Sequence, residues 1–223
     1  MCCLLQSSWF IFTALLALFA AVCGVASVFG VSIVDAEKDR TYAVSREMSY
    51  ILKDYEIELQ RFKPDLWEAI PLEEKLEALQ LIVDVETAYL GLPDRITVCA
   101  EELGASTLGA YSHDERRIFI SEALLRLNYP EECLDTALHE VYHSYQHHLC
   151  DLYKGIDDRY RSMIHIRDAS TYSYEFSNYV DGEDDYTEYL IQLAEQDARS
   201  CADIRFQQYN ILLNIRDLNL ITD

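Results

Sequence analysis

The chain has 223 residues, with 18 basic and 39 acidic side chains and a formal net charge of −21. That length admits one domain with an appendage and excludes a large multidomain enzyme. The acidic balance repels phosphate, so neither nucleic acid nor an anionic lipid surface is an expected partner. Only 7 Gly and 4 Pro punctuate the chain, which argues for a helix-rich fold rather than an all-β one.

Residues 1–34 carry no Asp, Glu, Lys or Arg, and Trp9 to Val34 is a nearly unbroken apolar run, long enough to cross a bilayer. The expectation is a single-pass N-terminal membrane anchor; secretion after signal cleavage is the alternative. The segment before the run has no basic side chain, and Ala20, Ala21 and Val22 make a poor lipoprotein-type site before Cys23. Lys38, Arg40, Arg46 and Lys53 follow the run, a weak bias toward a cytoplasmic domain. Cys99, Cys133, Cys150 and Cys201 lack a paired spacing, so they read as small buried hydrophobes rather than a disulfide framework.

Residues 35–93 form an N-terminal helical region. Val44, Met48, Ile51, Leu52, Tyr55 and Leu59 recur at spacings of three and four, which predicts an amphipathic helix from Ala36 to about Phe62. Lys63 and Pro64 break it, and Pro71 opens a second helix that Gly91 to Pro93 end. From residue 94 the pattern changes. Ile96 to Ala100 is short and β-branched, and Leu108 to Tyr111 pairs across a polar turn with Arg117 to Ser121. Pro130, Glu131 and Glu132 start a helix running to about Tyr153. Residues 154–186 read as a long loop, and a last helix is expected from about Asp185 to Asp217.

Within the Pro130 helix the chain reads His139-Glu140-Val141-Tyr142-His143, or H-E-x-x-H. Imidazoles at i and i+4 share one helix face and can ligate a single zinc ion, while Glu140 is placed to act as general base. A hydrolytic zinc site needs a third protein ligand. His147 and His148 follow closely but read as solvated helix-end residues. The last helix offers Glu195 and Asp197 instead.

This combination, H-E-x-x-H on one helix and Glu195-Gln196-Asp197-Ala198 on a later one, resembles the gluzincin zinc metallopeptidases. It is most similar to small bacterial gluzincin-like domains, the kind that includes membrane-bound and repressor-cleaving proteases. The resemblance covers about Leu108 to Ala202. It implies an α+β, mainly helical zincin-like domain spanning 94–223, with a small sheet or hairpin before the metal helix. The ligand set it implies is His139, His143 and Glu195. An Asp found four residues after the ligand Glu in the membrane-bound group falls here on Arg199, a departure. Asp197 could instead orient His139 or His143 through the ring nitrogen away from zinc. Gluzincin-type sites commonly stabilise the oxyanion with a Tyr or His, and His165, Tyr172 and Tyr174 are the first candidates. The strand Gly109 to Tyr111 is expected to lie along the cleft and hold an extended peptide.

The function implied is hydrolysis of peptide bonds in a peptide or protein substrate by zinc-activated water, with Glu140 as base. A membrane-tethered binding or regulatory protein with a structural or vestigial zinc site is the alternative.

Overall fold

The computed structural model describes residues 55–219 except His165. The apolar run, most of the first amphipathic helix and the candidate His165 lie outside the described residues. The chain divides into compact units Met1–Tyr50 and Ile51–Asp223, and every described residue belongs to the second. Among the described residues no helix is long and apolar enough to cross a membrane.

The architecture is mixed α and β, mostly helical, around one small sheet. A short helix Glu56–Leu59 (α1) and a 3-10 turn Gln60–Phe62 precede α2, Pro64–Ala69, which has Pro at its start. Helix α3, Leu72–Tyr89, begins after Pro71 with Glu73 and Glu74 in its first turn, where acids favour the exposed amides. It ends at Gly91, whose φ of 69° lets the Gly91 and Leu92 amides fold back onto Ala88 and Thr87 carbonyls. The strands are β1, Thr97–Glu101, β2, Gly109–Ser112, and β3, Arg117–Ser121. Their order is β1-β3-β2, with β1 parallel and β2 antiparallel to β3, so β2 is an edge strand. A short helix α4, Glu122–Arg126, leads to the central helix α5, Pro130–Gly155.

The apolar periodicity of α3 and α5 sandwiches the sheet's buried face. Leu79, Ile82, Val83, Ile118, Ile120, Leu125, Ala137 and Val141 are buried together with Trp67. At the edge, β2 approaches α5 so closely that a Cβ at Gly109 would stand 2.5 Å from Thr136 Cγ2 and 3.2 Å from Glu140 Cγ. Only glycine allows this contact, and it sets the strand beside the H-E-x-x-H turn.

Residues 154–186 are not one long loop. They hold a 3-10 turn at Asp158–Tyr160 and helix α6, Ala169–Ser177, which buries Ala169 and Tyr172 with Leu149, Cys150 and Ala194 in a second apolar cluster. The last helix is also interrupted. Helix α7, Tyr186–Ile191, stops at the extended Gln192, and α8, Leu193–Asn219, starts afresh. The break has a side-chain cause: the Glu175 carboxylate accepts from the Leu193 and Ala194 amides at 2.8 Å each, capping α8. Gln192 meanwhile grips Val180, accepting from its N–H at 3.2 Å and donating to its carbonyl at 2.9 Å. A cap supplied by a residue 18 positions earlier leaves no trace in local periodicity.

Helix α8 is tied to α3 by a buried cluster. Arg205 donates to both Glu86 oxygens at 2.6 and 2.7 Å, and the Tyr209 hydroxyl donates to Glu86 at 2.7 Å. Burial alone would lower the Arg205 pKa, but Glu86 raises it on balance. The four cysteines among the described residues are free: Cys133 and Cys150 are buried, Cys99 and Cys201 partly so, and burial pushes the Cys133 thiol up to about 12. Because removing one partner of a buried ion pair strands the other, Arg205→Ala should cost about 3–5 kcal/mol of stability. Urea unfolding of the variant against the parent measures it.

Candidate metal centre

His139 and His143 lie one turn apart on α5, and α8 brings Glu195 against both, as the sequence expected. The Nε2 atoms of His139 and His143 are 2.9 Å apart. Glu195 Oε2 lies 3.3 Å from His139 Nε2, and Oε1 lies 3.3 Å from His143 Nε2. One ligand atom from each residue falls within 4.8 Å of the others, so the three could hold a metal ion.

The chemistry of these donors fits a cation. Glu195 is 1% exposed, yet its Oε2 accepts no hydrogen bond. Two ligands on one tetrahedral ion with bonds of about 2.0–2.1 Å stand about 3.3 Å apart, close to these separations. The His143 proton is assigned to Nδ1, because that atom faces Gln146 Oε1 at 2.8 Å and the Gln146 amide is itself oriented by donating 2.8 Å to the Ala194 carbonyl. The atom of His143 that faces Glu195 is thereby Nε2. A backbone carbonyl adjoining Glu195 thus orients the imidazole that faces it.

Electrostatics separate the two glutamates. Burial alone would raise the Glu195 carboxyl, but the His139 and His143 imidazoles outweigh it and hold the group well below the usual carboxylate range. Its position in the first turn of α8 also favours the charge. Glu140 is raised, chiefly by burial and further by Glu195, against the opposing pull of the two histidines and the Tyr111 backbone. A carboxylate tuned upward suits proton transfer near neutral pH better than one held far below it.

Both glutamates and both histidines line a cleft of about 560 Å³. Its walls are Leu108 to Tyr111 on the strand side, and Tyr179 and Tyr189 opposite. The Tyr179 hydroxyl donates 2.8 Å to Glu195 Oε1, and Tyr189 lines the same wall. Both phenols are raised, first by burial and then by that carboxylate.

The other expected positions are placed differently. Asp197 accepts from the Tyr172 hydroxyl at 2.5 Å, so it serves the second apolar cluster, and Gln146 takes the orienting role expected of it at His143. Tyr172 is 3% exposed with its hydroxyl committed to Asp197, and Tyr174 is 68% exposed; neither lines the cleft. Tyr179 and Tyr189 line the cleft instead. Gln146 could have been read from the sequence, three residues after His143 on the same helix face. Tyr179 and Tyr189 carried no such signal.

His147 is not solvated but half-buried on α5. Its ring stacks on Phe176 at 4.0 Å and on His113 at 4.6 Å. Burial, then the neighbouring His113, His143 and Arg116 charges, lower its pKa to about 4.

Comparison with protein-family models, curated proteins and solved structures returns no match to this chain.

Gln146→Leu should weaken metal binding about 10- to 100-fold by releasing His143, whereas Asp197→Asn should leave it nearly unchanged. Competition against a chromogenic chelator reads both. His147 has a folded pKa below its unfolded value near 6.5, so the unfolded chain binds the extra proton between those two values. The stability His147 contributes is therefore present above pH 6.5 and lost as pH falls toward 4. His147→Phe, which keeps the stack and removes the titration, should flatten the fall in urea midpoint across that window.

Proposed function

We propose that the chain is a zinc-dependent peptidase of gluzincin type. The observation that carries this reading is the meeting of H-E-x-x-H and Glu195 at one point of a cleft into which the buried Glu140 also faces. His139, His143 and Glu195 would hold the metal, and three protein ligands leave a fourth position for water or substrate. Zinc there supplies a Lewis acid that polarises a carbonyl and acidifies water.

The protein groups divide the remaining work. Glu140 takes the proton of the attacking water on its carboxylate and returns it to the leaving nitrogen; its raised pKa favours the uptake. Tyr179 and Tyr189 keep their protons at neutral pH; the Tyr179 hydroxyl is spent on Glu195, so Tyr189 is the hydroxyl donor offered to negative charge developing on the carbonyl oxygen. The edge strand β2 supplies backbone groups along the cleft for an extended chain. A mainly helical zincin-like domain belongs to the same proposal.

Elemental mass spectrometry of the full chain should find about one zinc per molecule, lost in His139→Ala and Glu195→Ala. Glu140→Gln should keep the metal and lower turnover of a generic peptide library at least about 100-fold. Undiminished turnover in that variant would remove Glu140 as the base. A metal that a hydroxamate cannot reach would instead favour a closed structural site.

A further inference from the structure

The cleft holds more acid than the candidate metal centre uses. Glu140 and Glu195 belong to that centre, which leaves Asp135, Asp181 and Glu183 among the described lining residues. Two of these are engaged: Glu183 accepts from the Ser106 hydroxyl at 2.5 Å, and Asp181 accepts from the Glu183 amide at 2.8 Å. Arg199, the Lys or Arg among those lining residues, is committed as well. Its Nη2 donates to the Leu190 carbonyl at 2.7 Å, its Nη1 lies 3.6 Å from Glu195 Oε2, and its guanidinium carbon stands 5.5 Å from the Tyr189 ring centre. Asp135 is the exception, making no hydrogen bond or ion pair with any described residue.

Helix α5 sets its position. Asp135, His139, His143 and His147 all line the cleft and follow one another at i, i+4 spacing, so they form one row on the helix face. Asp135 stands at the head of that row, about 6 Å along the axis from His139 and on the side away from His143. The carboxylate is half-buried, and the charged groups that bear on it are Glu132 of its own helix, Asp203 from α8, and His139. Burial first, then Asp203, raise its pKa against the pull of His139. No Lys or Arg among the described residues offsets the two acids brought together there by α5 and α8. A cleft wall of one sign focuses its field on an incoming group of the other.

We propose that Asp135 is a specificity-determining residue: it receives the cationic side chain of a Lys or Arg in a bound peptide, so that the preferred substrates carry a basic residue beside the cleaved bond. The inference rests on the peptidase reading above. Side chains on one face of an extended chain recur about every 7 Å, close to the one-turn step from His139 to Asp135. A basic residue held there therefore falls within two residues of a carbonyl at the metal centre. Its long apolar stem spans the remaining gap while its charged head meets the carboxylate. A neutral side chain in that place would leave the carboxylate desolvated and unpaired, and an acidic one would add repulsion, so both are disfavoured.

The test uses the full chain with zinc and Glu140→Gln to suppress turnover. It is incubated with a mixed pool of short N-acetylated, C-amidated peptides, each bearing one Lys, norleucine or Glu amid uncharged residues, and the bound peptides are identified by mass spectrometry. Lys peptides should be enriched about tenfold or more over norleucine ones, as expected for a charge-assisted contact. Asp135→Asn in this background should abolish the enrichment, and Asp135→Glu should retain part of it, with thermal midpoints confirming that both fold. Asp65→Asn, which removes the same charge from the exposed start of α2, should leave it unchanged. Equal recovery of Lys and norleucine peptides, including none of either, overturns the contact; so does enrichment that survives Asp135→Asn or falls equally in Asp65→Asn. The native-Glu140 chain decides the peptidase reading separately. Cleavage in a fixed register one or two residues from Lys supports both; cleavage indifferent to Lys keeps the peptidase and overturns the contact; Lys-selective binding that needs Asp135, with no cleavage, keeps the contact and removes the peptidase.

Discussion

Keeping the Glu195 carboxylate ionised while it is almost wholly buried is the constraint around which the rest of the structure is arranged. An uncompensated charge so placed would be prohibitively costly, and every neighbour offsets part of that cost. The imidazoles of His139 and His143 face its two oxygens, Tyr179 donates to one, and Arg199 stands near the other. The backbone contributes through position, since a carboxylate in the first turn of a helix meets unpaired amides and the positive end of the dipole. That last contribution exists only because the helix restarts at Leu193.

The restart is therefore part of the site. Had α7 and α8 formed one helix, Glu195 would sit mid-helix, with neither free amides nor the change of direction that aims it at α5. Glu175 captures the first two amides, Gln192 holds Val180 and with it the neighbouring Tyr179, and Gln146 ties the Ala194 carbonyl to the His143 ring. Three uncharged or capping contacts fix the approach of one carboxylate to two imidazoles. On the opposite wall a missing side chain does comparable work, since Gly109 lets the edge strand press against Glu140.

What could be read from the sequence follows from how local each cause is. The pair His139 and His143, the helix starting at Pro130 and the β2–β3 hairpin all rest on periodicity or turn chemistry within a few residues, and they stand where the pattern put them. Glu195 needed a second motif, and it reached the centre as expected. The break at Gln192, helix α6 in the stretch read as a loop, and the tyrosines facing Glu195 depend on partners 12 to 18 residues away, which no window of local pattern sees. His147 misled because the rings that stack on it, Phe176 and His113, come from elements about 30 residues away in the chain. Asp197 misled because an acid two residues from Glu195 points to a different face, where Tyr172 holds it.

The Glu86–Arg205 pair joins residues 119 positions apart. Contacts of such long sequence separation close late, after much of the loop entropy between them has been spent. Helix α8 docks through that pair and also carries Glu195, so a chain emerging from the ribosome exposes the two histidines well before their carboxylate partner arrives. The pair holds α8 to α3 a short way beyond Glu195, so loosening it would let that carboxylate drift from the two imidazoles, and the geometry of the candidate centre is coupled to a contact distant from it in the chain.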